Sequence, residues 1–170
     1  MNSKIEGAFN EQLNAEFFSS YLYLSMAAYF ESHNLKGMAS WMRMQVQEEN
    51  MHAMKFFDFI NERGGKVVLA KVDAPKTEWG SPLEVFEDTC AHEHKVTGLI
   101  NDLVDLAISE KDHAANAFLQ WFVTEQVEEE STVQEIAGKL RLVGDRGGML
   151  FMLDRELGQR PAPPAGQAEV

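Results

Sequence analysis

Apolar residues along this chain recur at alternating steps of three and four over four long stretches, the spacing that places one stripe along a helix. The first stripe reads Phe9, Leu13, Glu16, Ser20, Tyr23, Ala27, Phe30, and the second Met38, Met42, Gln45, Glu49, His52, Phe56, Phe59. The third reads Phe86, Cys90, Glu93, Thr97, Ile100, Val104, Ala107, and the fourth Leu119, Phe122, Gln126, Glu129, Val133, Ile136, Leu140. Glycine and proline are nearly absent inside these stretches, so the pattern predicts helices over about 4–32, 35–63, 82–109 and 112–142. Gly64-Gly65 is the stop signal of the second, and Ser81-Pro82 with Glu84 the start signal of the third. The apolar run from Met149 to Leu153 predicts a short fifth helix over 146–157.

The connections predict how the helices are arranged. Short links around His33-Asn34 and around 110–112 make the flanking helices antiparallel neighbours, whereas residues 64–81 form one long connection. The expected fold class is therefore all-α, a four-helix bundle with one long crossover and a short fifth C-terminal helix. It forms a single domain over 1–158. The tail 159–170, with three prolines, is expected to be disordered.

Each stripe is apolar near its ends and carries a carboxylate near its middle. Glu16, Glu49, Glu93 and Glu129 each lie within about a turn of the middle of their helix, roughly 5 Å along the axis. In an antiparallel bundle, midpoints face midpoints, so four carboxylates and His52 are expected at one depth in the core. No Lys or Arg occupies any stripe to neutralise them. Buried carboxylates without partners lose their hydration and must protonate or pair. One or two divalent metal ions satisfy several carboxylates and an imidazole together. Oxygen-rich ligation with one histidine suits iron or manganese, and zinc also binds such donors. A single Glu on a helix more often faces water; agreement among four helices is what favours the metal.

Composition narrows the function further. The 170 residues carry a formal charge of −12 and are 45% hydrophobic, enough for one domain with a real core. So acidic a chain is no nucleic-acid partner, which needs a basic face for phosphates, and it suits a protein that attracts cations. The lone Cys90 excludes an internal disulfide and any cysteine-based zinc or iron–sulfur site. No apolar run is long enough to span a membrane, and the N-terminus has no apolar signal core, so the expected location is cytoplasmic with no membrane partner.

Four segments carry a resemblance: 10–16 (Asn-Glu-Gln-Leu-Asn-Ala-Glu), 47–54 (Gln-Glu-Glu-Asn-Met-His-Ala-Met), His92-Glu93-His94, and 119–126 (Leu-Gln-Trp-Phe-Val-Thr-Glu-Gln). They resemble the ferritins, and are most similar to the non-haem bacterial type, over about residues 4–158. The resemblance implies that Glu16, Glu49 and His52 hold one iron and Glu49, Glu93 and Glu129 a second, with Glu49 bridging. It places Gln126 near bound oxygen and Tyr23 beside the site as electron donor or hydrogen-bond partner. Glu48, Glu125 and Glu128, with Glu129 shared, match a third iron site, although a solvated acidic face explains the same residues. It further implies a homo-oligomeric shell of 24 subunits that oxidises Fe(II) with O2 or H2O2 and stores ferric mineral in its cavity.

The departures from related groups are specific. Gln126-x-x-Glu129 lacks the second Glu-x-x-His of bacterioferritins and rubrerythrins, and one cysteine cannot build a rubrerythrin CxxC domain. Asn50 stands where bacterioferritins place their haem-binding methionine, so no haem is expected. The acidic positions lining the three-fold channels of animal ferritins correspond to Asn116 and Leu119, implying a route for iron that is less acidic or lies elsewhere. His92 and His94 are expected at surface or inter-subunit positions, His33 in an exposed loop, and Cys90 as a small buried hydrophobe. Two rivals stand beside iron storage: a non-storage di-iron redox enzyme such as a peroxide reductase, and a metal-free structural bundle.

Overall fold

The computed structural model describes residues 1–144 and 146–161. Five helices carry the described residues: α1 (Ser3–Ser32), α2 (Lys36–Glu62), α3 (Pro82–Ser109), α4 (His113–Val143) and α5 (Gly147–Leu157). Their ends agree with the expected ones to within one or two residues, and no strand occurs among the described residues. Internal contacts divide the chain into two compact units.

The first unit holds residues 1–9 and Trp79–Gly144, and so contains α3 and α4. Ser81 caps α3 as expected: its hydroxyl accepts from the Glu84 N–H at 3.1 Å, Pro82 opens the helix, and the Glu84 carboxylate accepts from Gly80 N–H at 2.7 Å. Buried Trp79 donates to the Asp88 carboxylate at 2.8 Å and so fixes the chain as it enters the helix. At the other end of α3 the backbone turns through Lys111 at φ +56°, with Lys111 N–H bonded to Ile108 C=O and Asp112 N–H to Ala107 C=O. That pair of bonds closes a helix C-terminus. Asp112 then caps α4 through the Ala115 N–H at 3.0 Å.

The expected α4 stripe is buried throughout, but the α3 stripe is corrected by one residue at alternate positions. Phe86, Glu93, Ile100 and Ala107 are buried as expected, whereas Thr89, Val96 and Leu103 take the places assigned to Cys90, Thr97 and Val104. A helix advances 3.6 residues per turn, so either of two adjacent residues can complete a stripe, and here packing selects the other one.

The second unit holds Asn10–Glu78 and the C-terminal segment, and so contains most of α1, all of α2, the long connection and α5. The α1 stripe is buried throughout; in α2, Ile60 rather than Phe59 closes the stripe. Gly64 ends α2 at φ +67°, a left-handed conformation that glycine adopts without a Cβ clash, and Gly65 N–H reaches back to Ile60 C=O. The connection that follows contains neither helix nor strand. Side chains of α1 satisfy part of its backbone: Asn10 binds Lys66 C=O at 3.0 Å and Val68 N–H at 2.6 Å, Asn14 binds Lys71 C=O at 3.4 Å, and Ser25 binds Lys76 C=O at 2.7 Å.

Helix α5 packs against the start of α2. Leu35 at that start offers no side-chain cap, and the Asp154 carboxylate accepts from Met38 N–H at 2.8 Å instead. The approach is close enough to require glycine at 37, where a Cβ would lie 1.6 Å from the Asp154 carbonyl oxygen. The tail expected to be disordered from Gln159 begins with an anchored residue. Arg160 lies 4.7 Å over the Trp41 ring and bonds Gln45 and Glu48 on α2. Residues 162–170 of that tail lie outside the described residues.

Candidate metal centre

Within the second unit, α1 contributes Glu16 and α2 contributes Glu49 and His52, the latter pair one turn apart on one helix face. All three are almost entirely buried, with exposures of 1%, 3% and 4%. One ligand atom from each lies within 4.8 Å of the others, the one such grouping of three or more His, Cys, Asp or Glu among the described residues. His52 Nδ1 lies 3.5 Å from Glu49 Oε2. Gln12, four residues before Glu16 and itself buried, donates to Glu16 Oε1 at 2.8 Å. Glu16 Oε2 is buried with no hydrogen-bond partner.

That orphaned oxygen carries an electrostatic cost. Burial pushes the Glu16 carboxyl well above the usual carboxylate range, and the neighbouring Glu49 charge pushes it further. His52 and the Gln12 hydrogen bond oppose the shift without cancelling it. Two carboxylates and an imidazole, sharing a dry site with an open lone pair, fit a divalent cation of the iron or zinc kind.

In the first unit, Glu93 and Glu129 are buried on α3 and α4, with Gln126 buried beside them. The Gln126 amide donates to Glu93 Oε2 at 3.2 Å, to the Glu93 carbonyl at 3.3 Å and to Thr97 Oγ1 at 3.3 Å. Thr97 in turn donates to Glu130 Oε1 at 2.5 Å, and the exposed His94 ring approaches that oxygen at 3.4 Å. Thr97, Gln126 and Glu130 line a cavity of about 440 Å³ between α3 and α4, so hydrogen bonds lead from that cavity to the Glu93 carboxylate.

Tyr23 is fully buried on α1, two turns beyond Glu16. Glu48 and Glu125 are half-buried and Glu128 is exposed. Glu48 is already engaged, its Oε2 lying 2.6 Å from Arg160 Nη2. His92 is half-buried, and burial, with Lys95 adding to it, lowers its pKa to about 4. Leu119 is fully buried, so it cannot line an iron channel. Gln12 and Arg160 were not singled out by the sequence. The first had a readable signal, its i,i+4 spacing to Glu16; the second had none.

The same architecture occurs in known proteins. A sequence model of the ferritin-like domain matches residues 6–143. A bacterial non-heme ferritin from Bacteroides fragilis is 49% identical over 160 residues, covering 94% of this chain and 99% of that protein. The chain belongs to the ferritin-like family. Another bacterial non-heme ferritin, from Staphylococcus saprophyticus, is 39% identical over 160 residues, 94% of this chain and 96% of its own. Among solved structures, an open-pore ferritin from the hyperthermophilic archaeon Archaeoglobus fulgidus is 53% identical. It covers 95% of this chain and 99% of its own, with a TM-score of 0.94. The fold class is thus the ferritin-like four-helix bundle with a short fifth helix. No ferritin-like helix described here is long and apolar enough to cross a membrane.

Proposed function

We propose that this protein stores iron, taking up Fe(II) at a carboxylate site and oxidising it before mineral forms. The observation that carries this reading is the buried Glu16–Glu49–His52 cluster with its unpartnered oxygen, in a chain 49% identical to a bacterial non-heme ferritin. Glu16, Glu49 and His52 bind the first Fe(II), and Glu49 is shared with a second that also uses Glu93 and Glu129. Gln126 holds the Glu93 carboxylate through its amide and orients oxygen, and Tyr23 stands by as electron or hydrogen-bond donor. Glu48, Glu125, Glu128 and Glu129 offer a third, weaker site.

Each Fe(II) gives up one electron, so a pair reduces O2 to H2O2, or H2O2 to water, with protons taken from the medium. The metals supply the redox chemistry. The protein's part is to fix their spacing, neutralise their charge and hold the carboxylates dry. The ferric product then moves to the cavity of a homo-oligomeric shell, of 24 subunits by family likeness, in the cytoplasm and without haem.

Aerobic loading with excess Fe(II), followed by size separation, tests the proposal. Iron eluting with a large protein shell, far beyond what the ligand sites hold, is the expected result. Two or three ions per chain on a small oligomer would indicate the non-storage redox enzyme. Glu49→Ala is expected to lose most of the initial oxidation rate, because it removes a ligand from both irons; a native rate would overturn the site assignment.

A further inference from the structure

Arg160 stands three residues past the end of α5, yet its side chain is anchored by several partners. Its guanidinium donates to Gln45 Oε1 and to Glu48 Oε2, the latter at 2.6 Å, and its carbon lies 4.7 Å above the Trp41 ring. Trp41, Gln45 and Glu48 follow one another at i, i+4 and i+7, so one face of α2 forms the seat. The Arg160 and Glu48 side chains are only 22% and 16% exposed, which removes the pair from the class of surface ion pairs that contribute little. Its position is enforced from behind: Asp154 caps α2, Gly37 lets α5 close in, and Gly158 sits with its own would-be Cβ 3.0 Å from the Gly37 Cα.

Glu48 is also a ligand in the third iron site proposed above, and a carboxylate cannot give its full charge to two cations at once. We propose that Arg160 and a divalent metal are alternative partners of Glu48, so that the C-terminal segment acts as a tethered competitor for that site. This inference rests on the iron-binding reading, but on a different residue from the Glu16–Glu49–His52 cluster. A metal that uses Glu48 must first displace a charge-assisted hydrogen bond and leave a cation beside it, so this site fills last. By reciprocity, a metal on Glu48 loosens residues 158–161.

Anaerobic calorimetric titration of the assembled protein with Zn(II), which needs no oxidant, separates these claims. In Arg160→Ala the weakest class of sites is expected to tighten about tenfold, the worth of one lost charge-assisted competitor, while the tightest class is unchanged. Glu48→Gln is expected to abolish the weakest class in either background. An unchanged weak class in Arg160→Ala, or a weak class that survives Glu48→Gln, would overturn the competition. Glu49→Ala tests the underlying reading separately: retention of the tightest class there refutes the metal cluster, whatever Arg160 does. Hydrogen exchange of residues 158–160, whose amides bond back to α5, guards in the unaltered protein against a variant that misfolds. Faster exchange at saturating Zn(II) is expected, and no change counts against the proposal.

Discussion

The carboxylate of Asp154 accepts the backbone N–H of Met38 at 2.8 Å across 116 residues of sequence, so the fifth helix provides the cap that the second helix lacks. Asp154→Ala leaves a buried amide without a partner and is expected to cost about 1–2 kcal/mol. Gly37→Ala would set a methyl group 1.6 Å from the Asp154 carbonyl oxygen and is expected to dislodge α5. Both changes break one docking contact, so the double variant should cost less than the sum of the singles in a denaturation cycle. Strict additivity would mean that the cap and the close approach act separately.

A buried charge with an unpartnered oxygen makes Glu16 a liability to the metal-free protein. Its folded pKa is raised above the ordinary carboxyl value of 4.5, so the stabilising protonated form is fully present below that value. That contribution is lost as pH rises through the folded value. Glu16→Gln is therefore expected to stabilise the metal-free protein at neutral pH by about 1–2 kcal/mol. The same variant should lose most of the thermal shift that Zn(II) gives the unaltered protein. A variant less stable than its parent without metal would contradict the electrostatic account.

His92 has the opposite sign. Its ring is held neutral by burial, with a folded pKa of about 4 against an ordinary value of 6.5. On acidification the unfolded chain takes up a proton first, so stability present above pH 6.5 declines as pH falls towards 4. His92→Gln should flatten that decline by about 1–2 kcal/mol. Urea unfolding at pH 7, 5.5 and 4.5 would reveal it, and parallel profiles for the two proteins would refute it.

Lys111 holds a left-handed conformation, φ +56°, at the end of α3, where glycine would sit without steric cost. Lys111→Gly is expected to raise stability by about 0.5–1 kcal/mol, the relief of a left-handed side chain less the added freedom of the unfolded chain. A lower melting temperature would show that the lysine side chain contributes more than its backbone costs.

The buried carboxylates were legible because a charged residue interrupts an otherwise apolar stripe. Glu16, Glu49, Glu93 and Glu129 are all buried on the helices assigned to them. The helix ends were legible where the signal is local, as at Ser81 and Gly64. The α3 stripe was legible only to one residue: Thr89 or Cys90, Val96 or Thr97, and Leu103 or Val104 complete it equally well by spacing, and packing decides which of each pair is covered. Asp154 and Arg160 could not be read at all. Each meets α2 more than a hundred residues away, and no spacing rule reaches that far.

The long connection between α2 and α3 borrows its backbone partners from a helix to which it does not belong. Lys66, Lys71 and Lys76 present their carbonyls at five-residue intervals, and Asn10, Asn14 and Ser25 receive them from fixed stations along α1. Side chains in such a segment can change freely, since the pairing runs through its main chain. Its length cannot: one residue inserted or removed between 66 and 76 slides every later carbonyl past its station. The segment behaves as a notched ruler laid along a helix, tolerant of spelling and intolerant of counting.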